Sequence, residues 1–346
     1  MVYQKIKRVV LMKKRIYLLS IAITNLLALG SLVSDASASK HVVILAGAGG
    51  IERFQKQFQD QANTLKALLI SQYGYRERDI SLLAEGLPAG QAITAENIRS
   101  LFRDLRSRLT GNDALWVFLI GHGSFDGQWA KFNIIGPDLR DVDFANLVDQ
   151  LPCQRIIFIN TTSASGPFLI PMSAKGRVII TATRNGIERN ATHFAEYFLQ
   201  ALQNKQHADL NKDGQLSITE AFVYARDQLV RYYEENRQLR PEHPLLDDNG
   251  DGEGTETPDL FSGDGSLANR ITFEQQLQPA TPRLASGGKQ SLSSRQKEIL
   301  KKVQALQAQK NDLPEEVYYQ KFEKLMLELA KLNQKTTAAP PAKNRQ

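Results

Sequence analysis

The chain predicts an α/β domain, a three-layer sandwich in which a mostly parallel sheet is covered by helices on both faces. Five apolar runs have strand length, at 41–47, 79–84, 114–120, 155–160 and 177–183. The stretches between them, 55–73, 93–109 and 141–150, show helical spacing, as in Phe58, Ala62, Leu65 and Leu69. The strands are apolar throughout instead of alternating, which is the pattern of a sheet buried on both sides. A composition of 42% hydrophobic and 23% charged residues is that of an ordinary globular chain and excludes collagen-like, disordered and multi-spanning classes.

Residues 1–38 read as an export signal. Lys13, Lys14 and Arg15 precede an apolar run at 16–33, and Ala36-Ser37-Ala38 offers a small-residue cleavage site before Ser39. Met12 opens this pattern, so residues 1–11 read as an over-extended start, and whether they are translated stays open. An uncleaved membrane anchor is the alternative, but a run broken by Thr24 and Asn25 is marginal for spanning. The mature chain is therefore expected in a periplasmic or extracellular compartment. Its single cysteine, Cys153, excludes an internal disulfide and any multi-cysteine metal site. The formal charge of +6 sits at the ends. Residues 1–38 hold six Lys/Arg and one Asp, and residues 266–346 hold 14 Lys/Arg and seven Asp/Glu, which leaves residues 39–265 at −6. No basic face remains for nucleic acid.

In a parallel sheet, binding and chemistry lie beyond the carboxyl ends of the strands. The first such turn, Gly47-Ala48-Gly49-Gly50, fails as a dinucleotide site because Glu52 stands where the third glycine belongs. The turn after 114–120 is Gly121-His122-Gly123. A histidine between glycines has little packing to justify it, and the glycines allow close approach of a substrate backbone. The run 155–160 ends in Asn160-Thr161-Thr162-Ser163-Ala164-Ser165-Gly166. If the two strands are neighbours, this turn meets His122 at one sheet edge.

This arrangement resembles the caspase-like peptidase fold, and the legumain family in particular, over 41–262. Further points of similarity are the opening strand with its glycine turn and Gln61-Ala62-Asn63 on the first helix. The resemblance implies a His–Cys dyad at the ends of adjacent strands, but the cysteine is replaced. Aligning on Ser165-Gly166 puts Ser163 in its place, and aligning from the strand end puts Thr162 there. Cys153 is seven or more residues back, at about 3.3 Å each, too far to reach. A thiol and an imidazole have close pKa values and need no third group, whereas serine needs a base oriented by a carboxylate. The expectation is a peptide- or protein-binding module. The alternative is a hydrolase with Ser163 or Thr162 as nucleophile, His122 as base and the Gly123 amide contributing to an oxyanion site. Gln59 replaces the family's substrate-reading arginine, and Thr183 with Arg184 would form a pocket wall.

Independently of the fold, Asp209, Asn211, Asp213, Gly214 and Glu220 occupy positions 1, 3, 5, 6 and 12 of an EF-hand loop spanning 209–220. Gln215 would add its carbonyl oxygen, and Ser217 a water-mediated contact. The expected ion is calcium, Ca2+, with Glu196 a possible neighbouring carboxylate. The run Asp247-Asp248-Asn249-Gly250-Asp251-Gly252 begins a second such loop, but Pro258 stands at its twelfth place, so an Asx-rich turn and an incomplete calcium site remain open.

A Pro/Gly-rich linker follows at 275–293. Then 294–335 predicts a C-terminal helical hairpin or coiled coil, with Tyr318, Phe322, Leu325, Leu329 and Leu332 on one stripe suited to self-association or a partner helix. Residues 336–346 read as a disordered tail.

Overall fold

The computed structural model describes residues 39–259 and 263–275, together with nine helical positions between 299 and 328. The expected signal at 1–38, the linker and the tail lie outside the described residues. So does the C-terminal stripe, apart from a half-buried Leu325.

The five predicted strands form at β1 (Lys40–Ala46), β2 (Ile80–Ala84), β3 (Ala114–Ile120), β7 (Arg155–Asn160) and β8 (Arg177–Thr181). A strand the sequence did not announce, β9 (Leu245–Asp247), completes a six-stranded sheet of order β2-β1-β3-β7-β8-β9. All pairs are parallel except β8–β9. The three predicted helices appear as α1 (Glu52–Ser71), α2 (Ala95–Arg108) and α3 (Asp141–Asp149). Helix α2 starts at Thr94, whose hydroxyl accepts the Asn97 amide at 3.2 Å, satisfying one otherwise orphaned donor. Helix α4 (Leu169–Met172), then α5 (Phe194–Gln203), α6 (Lys205–Ala208) and α7 (Ile218–Glu235) follow.

The continuous apolar runs are explained by two cores. Val42, Ile44, Trp116, Phe118, Ile157 and Ile180 face α1, α5 and α7 through Phe58, Leu65, Phe194, Phe198, Phe222 and Leu229. Val43, Leu45, Val117, Leu119, Phe158 and Ile179 face α2 and α3 through Ile98, Phe102, Phe144 and Val148. Alternate residues of one strand thus enter opposite cores, and burying each large apolar side chain contributes about 1.5–3 kcal/mol.

Two features go beyond the sequence-based expectation. A small antiparallel sheet, β4 (Gly123–Phe125), β5 (Ala130–Phe132) and β6 (Leu139–Arg140), stands directly after His122. Its strands are too short to carry a periodic signal. The main body also continues past the expected boundary at 265. Ile218 N donates to Ile271 O and Phe273 N to Leu216 O, at 3.0 and 2.9 Å, and Gln275 N donates to Tyr73 O at 2.8 Å.

Candidate functional site

Strands β3 and β7 are neighbours, so the Gly-His-Gly turn and the 160–166 turn meet at one sheet edge. The contact is tight. A Cβ on Gly123 would collide with the Ser163 carbonyl and Thr162 Oγ1, so only glycine fits there. Ser163 Oγ accepts the Gly123 amide at 3.1 Å and donates to the Gly123 carbonyl at 2.9 Å. Its only proton is therefore committed to a carbonyl. Thr162 Oγ1 donates to Asn160 Oδ1 at 2.7 Å, and the Thr162 amide donates to the same atom at 3.0 Å. Ser163 is 3% exposed and Thr162 fully buried.

The His122 ring lies against Phe54 and Phe58, edge to face, with centroids 4.6 and 4.9 Å away. Among the described residues it forms no hydrogen bond, so the base and either hydroxyl are close in the fold but not coupled. Burial lowers its pKa, which favours the neutral imidazole. Asp126 and Asp138, the first two acids that follow it in sequence, do not orient it. Asp126 pairs with Lys131 at 2.7 Å, and Asp138 accepts the Ile134 amide at 3.0 Å.

The expected substrate-binding residues divide. Gln59 donates its side-chain amide to the Glu85 carbonyl, and Glu85 accepts the Gly49 amide at 2.9 Å, so Gln59 ties α1 to the loops beyond β1 and β2. Thr183 is buried, accepting the Gly166 amide at 3.0 Å and donating to the Asn185 carbonyl at 3.2 Å. Both act as structural ties. Arg184 is the outward-facing member, its side chain 57% exposed and 3.6 Å from Glu188.

Two further residues organise this edge: Ser165 of the Ser-Gly pair, and Glu188, which carried no sequence signal. Ser165 Oγ accepts the Ala182 and Thr183 amides at 3.0 and 3.1 Å, fastening the turn to the end of β8. Glu188 accepts the Arg184 amide at 2.9 Å and stands 2.6 Å from His243 Nδ1, while its carbonyl takes the Ala164 amide at 2.8 Å. Ile51 and Ile187, 60% and 78% exposed, lie in the loops beyond β1 and β8. Cys153 is buried at the opposite end, before the start of β7, and burial pushes its thiol pKa up. It borders a hollow of about 580 Å³ lined also by Leu151, Lys175 and Arg177.

The 209–220 loop folds as its residue types require. Gly214 has φ +83, where a side chain would be strained. Asp209 Oδ2 accepts the Gly214 amide at 2.9 Å, Asn211 Oδ1 the Asp213 amide at 2.8 Å and Asp213 Oδ1 the Gln215 amide at 2.8 Å. Glu220 reaches back to the Leu210 and Asn211 amides at 3.1 and 3.2 Å and to the Ser217 amide at 2.9 Å. Burial raises the pKa of both Asp213 and Glu220, and the charge of Asp209 adds to each shift. Ser217 is occupied as the cap of α7, bonding the Glu220 carboxylate at 2.8 Å. Glu196 points elsewhere, to Gln200 at 3.3 Å. The additional acid is Glu274, which accepts the Leu216 amide at 3.1 Å and pairs with Lys205 at 2.6 Å. Among the described residues no three His, Cys, Asp or Glu side chains stand converged on a metal position. The loop carboxylates are turned onto its own amides.

No family model matches the chain, and no curated protein does. Among solved structures, a crystallised protein from Geobacter sulfurreducens is similar at 11% identity and a TM-score of 0.41, over 68% of this chain and 99% of that one. Among the described residues no helix is long and apolar enough to cross a membrane.

Proposed function

We propose that this is an exported, calcium-binding module of legumain- or caspase-like fold that binds a peptide or protein without cleaving it. The observation that carries the reading is the Ser163 hydroxyl, held by both the amide and the carbonyl of Gly123 at 3.1 and 2.9 Å. A nucleophilic serine must pass its proton to a base, and a hydroxyl donating to a backbone carbonyl with no partner on His122 is not set up to do so. What the edge offers instead is recognition surface: Ile51, Ile187 and the exposed Arg184 around a ring of buried ties. Calcium at Asp209, Asn211, Asp213, the Gln215 carbonyl and Glu220 would fix how α5 and α7 pack on the sheet.

A serine-directed fluorophosphonate probe tests the non-catalytic half. The folded protein is expected to remain unlabelled and to leave a peptide library uncut. Labelling that disappears in Ser163→Ala would overturn the proposal in favour of the hydrolase. Binding to a peptide array is expected to weaken roughly tenfold, about 1.4 kcal/mol, in Arg184→Ala and in Ile187→Asp.

A further inference from the structure

A second acidic loop begins where β9 ends. The chain leaves at Leu246 and returns at Thr255, the two residues exchanging amide-to-carbonyl bonds at 3.0 and 2.9 Å. Between them, Asn249 Oδ1 accepts the Asp251 amide and Asp251 Oδ1 the Glu253 amide, both at 2.8 Å. This is the winding of the first calcium loop, where Asn211 and Asp213 do the same. The twelfth-place acid is missing, but the fold brings one from elsewhere. Asp264 accepts the Asp248 amide at 3.1 Å, and Asp248 Oδ2 accepts the Ala268 amide at 2.7 Å.

The independent observation is unpartnered oxygen. Asp247 and Asp248 are 1% and 4% exposed, yet among the described residues Asp247 Oδ2 and Asp248 Oδ1 have no hydrogen-bond donor. Buried carboxylate oxygens are normally paired, because a desolvated charge without a partner is costly. Among the described residues no Lys, Arg or His forms an ion pair with Asp247, Asp248, Asp251 or Asp264.

We infer that Asp247, Asp248, Asp251 and Asp264 form a second divalent-cation site, distinct from the 209–220 loop. An all-carboxylate donor set is hard, and a loop that need not impose octahedral geometry suits calcium over magnesium or zinc. The carboxylates do not yet stand converged, so binding draws them inward. Gly250 and Gly252, at φ +84 and +80, give the loop a backbone that side-chain-bearing residues rarely adopt.

The test is calcium titration calorimetry on the chelator-treated full chain. Wild type is expected to bind two ions, Glu220→Gln one, and Asp247→Asn and Asp264→Asn one each. A single wild-type ion that vanishes in Glu220→Gln overturns this site and leaves the first. A single ion that survives Glu220→Gln but vanishes in Asp247→Asn supports it and removes the first. Thermal unfolding guards against a folding artefact. Asp264→Asn relieves repulsion, so it should melt above wild type in chelator and gain less from calcium. A variant that melts below wild type in both conditions, with its calcium count unchanged, overturns the proposal.

Discussion

Single atoms decide what the sheet edge can do. Ser163 and His122 stand on turns of neighbouring strands but share no hydrogen bond, and the Ser163 hydroxyl is taken by Gly123. Ser163→Ala is accordingly expected to leave peptide binding intact. Gly123→Ala should lower stability by about 1–3 kcal/mol through overpacking against Ser163 and Thr162, measured by denaturant unfolding. His122 carries a pH signature. Burial places its folded pKa below the ordinary 6.5, so the folded state prefers the neutral ring. Its contribution is complete above pH 6.5 and is lost as pH falls below 6.5 through the folded value. Histidine NMR should show His122 titrating below 6.5. The loss of stability between pH 7 and pH 5 should be smaller in His122→Phe, and an equal loss would mean that other groups account for all of it.

At the scale of elements, the 209–220 loop joins α5 and α6 to α7, and its Leu216 and Ile218 pair with Phe273 and Ile271. Ordering the loop therefore orders the helical face. With calcium at a hundred times its dissociation constant, stability should rise by about 2.7 kcal/mol. Thermal unfolding in chelator and in calcium would read this. Glu220→Gln should lose that loop's contribution, and magnesium should replace it poorly because it holds its waters and wants six close ligands. On the opposite face, Phe158 is fully buried between Phe144 and Phe168, at ring distances of 5.8 and 6.2 Å. Phe158→Ala should cost about 3–5 kcal/mol, far more than any change at the exposed Arg184.

For the molecule as a whole, charge and boundary matter. Residues 39–265 carry −6 while 266–346 carry +7 by residue count. Part of that basic segment is integral to the fold: Lys40 Nζ reaches the Thr272 carbonyl at 2.7 Å, and Ser217 bridges to Thr272. A truncation meant to isolate the tail must therefore keep residues through Gln275. Sedimentation of the chain from Ser39 onward against the same chain ending at Gln275 tests self-association through 294–335. A larger assembly is expected from the full chain only, and equal monomer masses would remove that role.

The sequence by itself determined the α/β class with its mostly parallel sheet, and the 209–220 pattern that is proposed to take calcium. Five apolar runs and three helical stretches announce their own positions because burial on both faces and a 3.6-residue period are local facts, readable in a window of a dozen residues. The 209–220 pattern is legible for the same reason: its side-chain oxygens lie within twelve consecutive positions. Tertiary structure decided everything that depends on distant residues meeting. It placed His122 against Phe54 and Phe58, turned the Ser163 hydroxyl onto Gly123, made Gln59 and Thr183 ties within the fold, and brought Asp264 to Asp248. No periodicity encodes those meetings, because a hydrogen bond between residues 40 apart depends on how strands β3 and β7 are stacked side by side, and that order is set by the packing of the whole sheet.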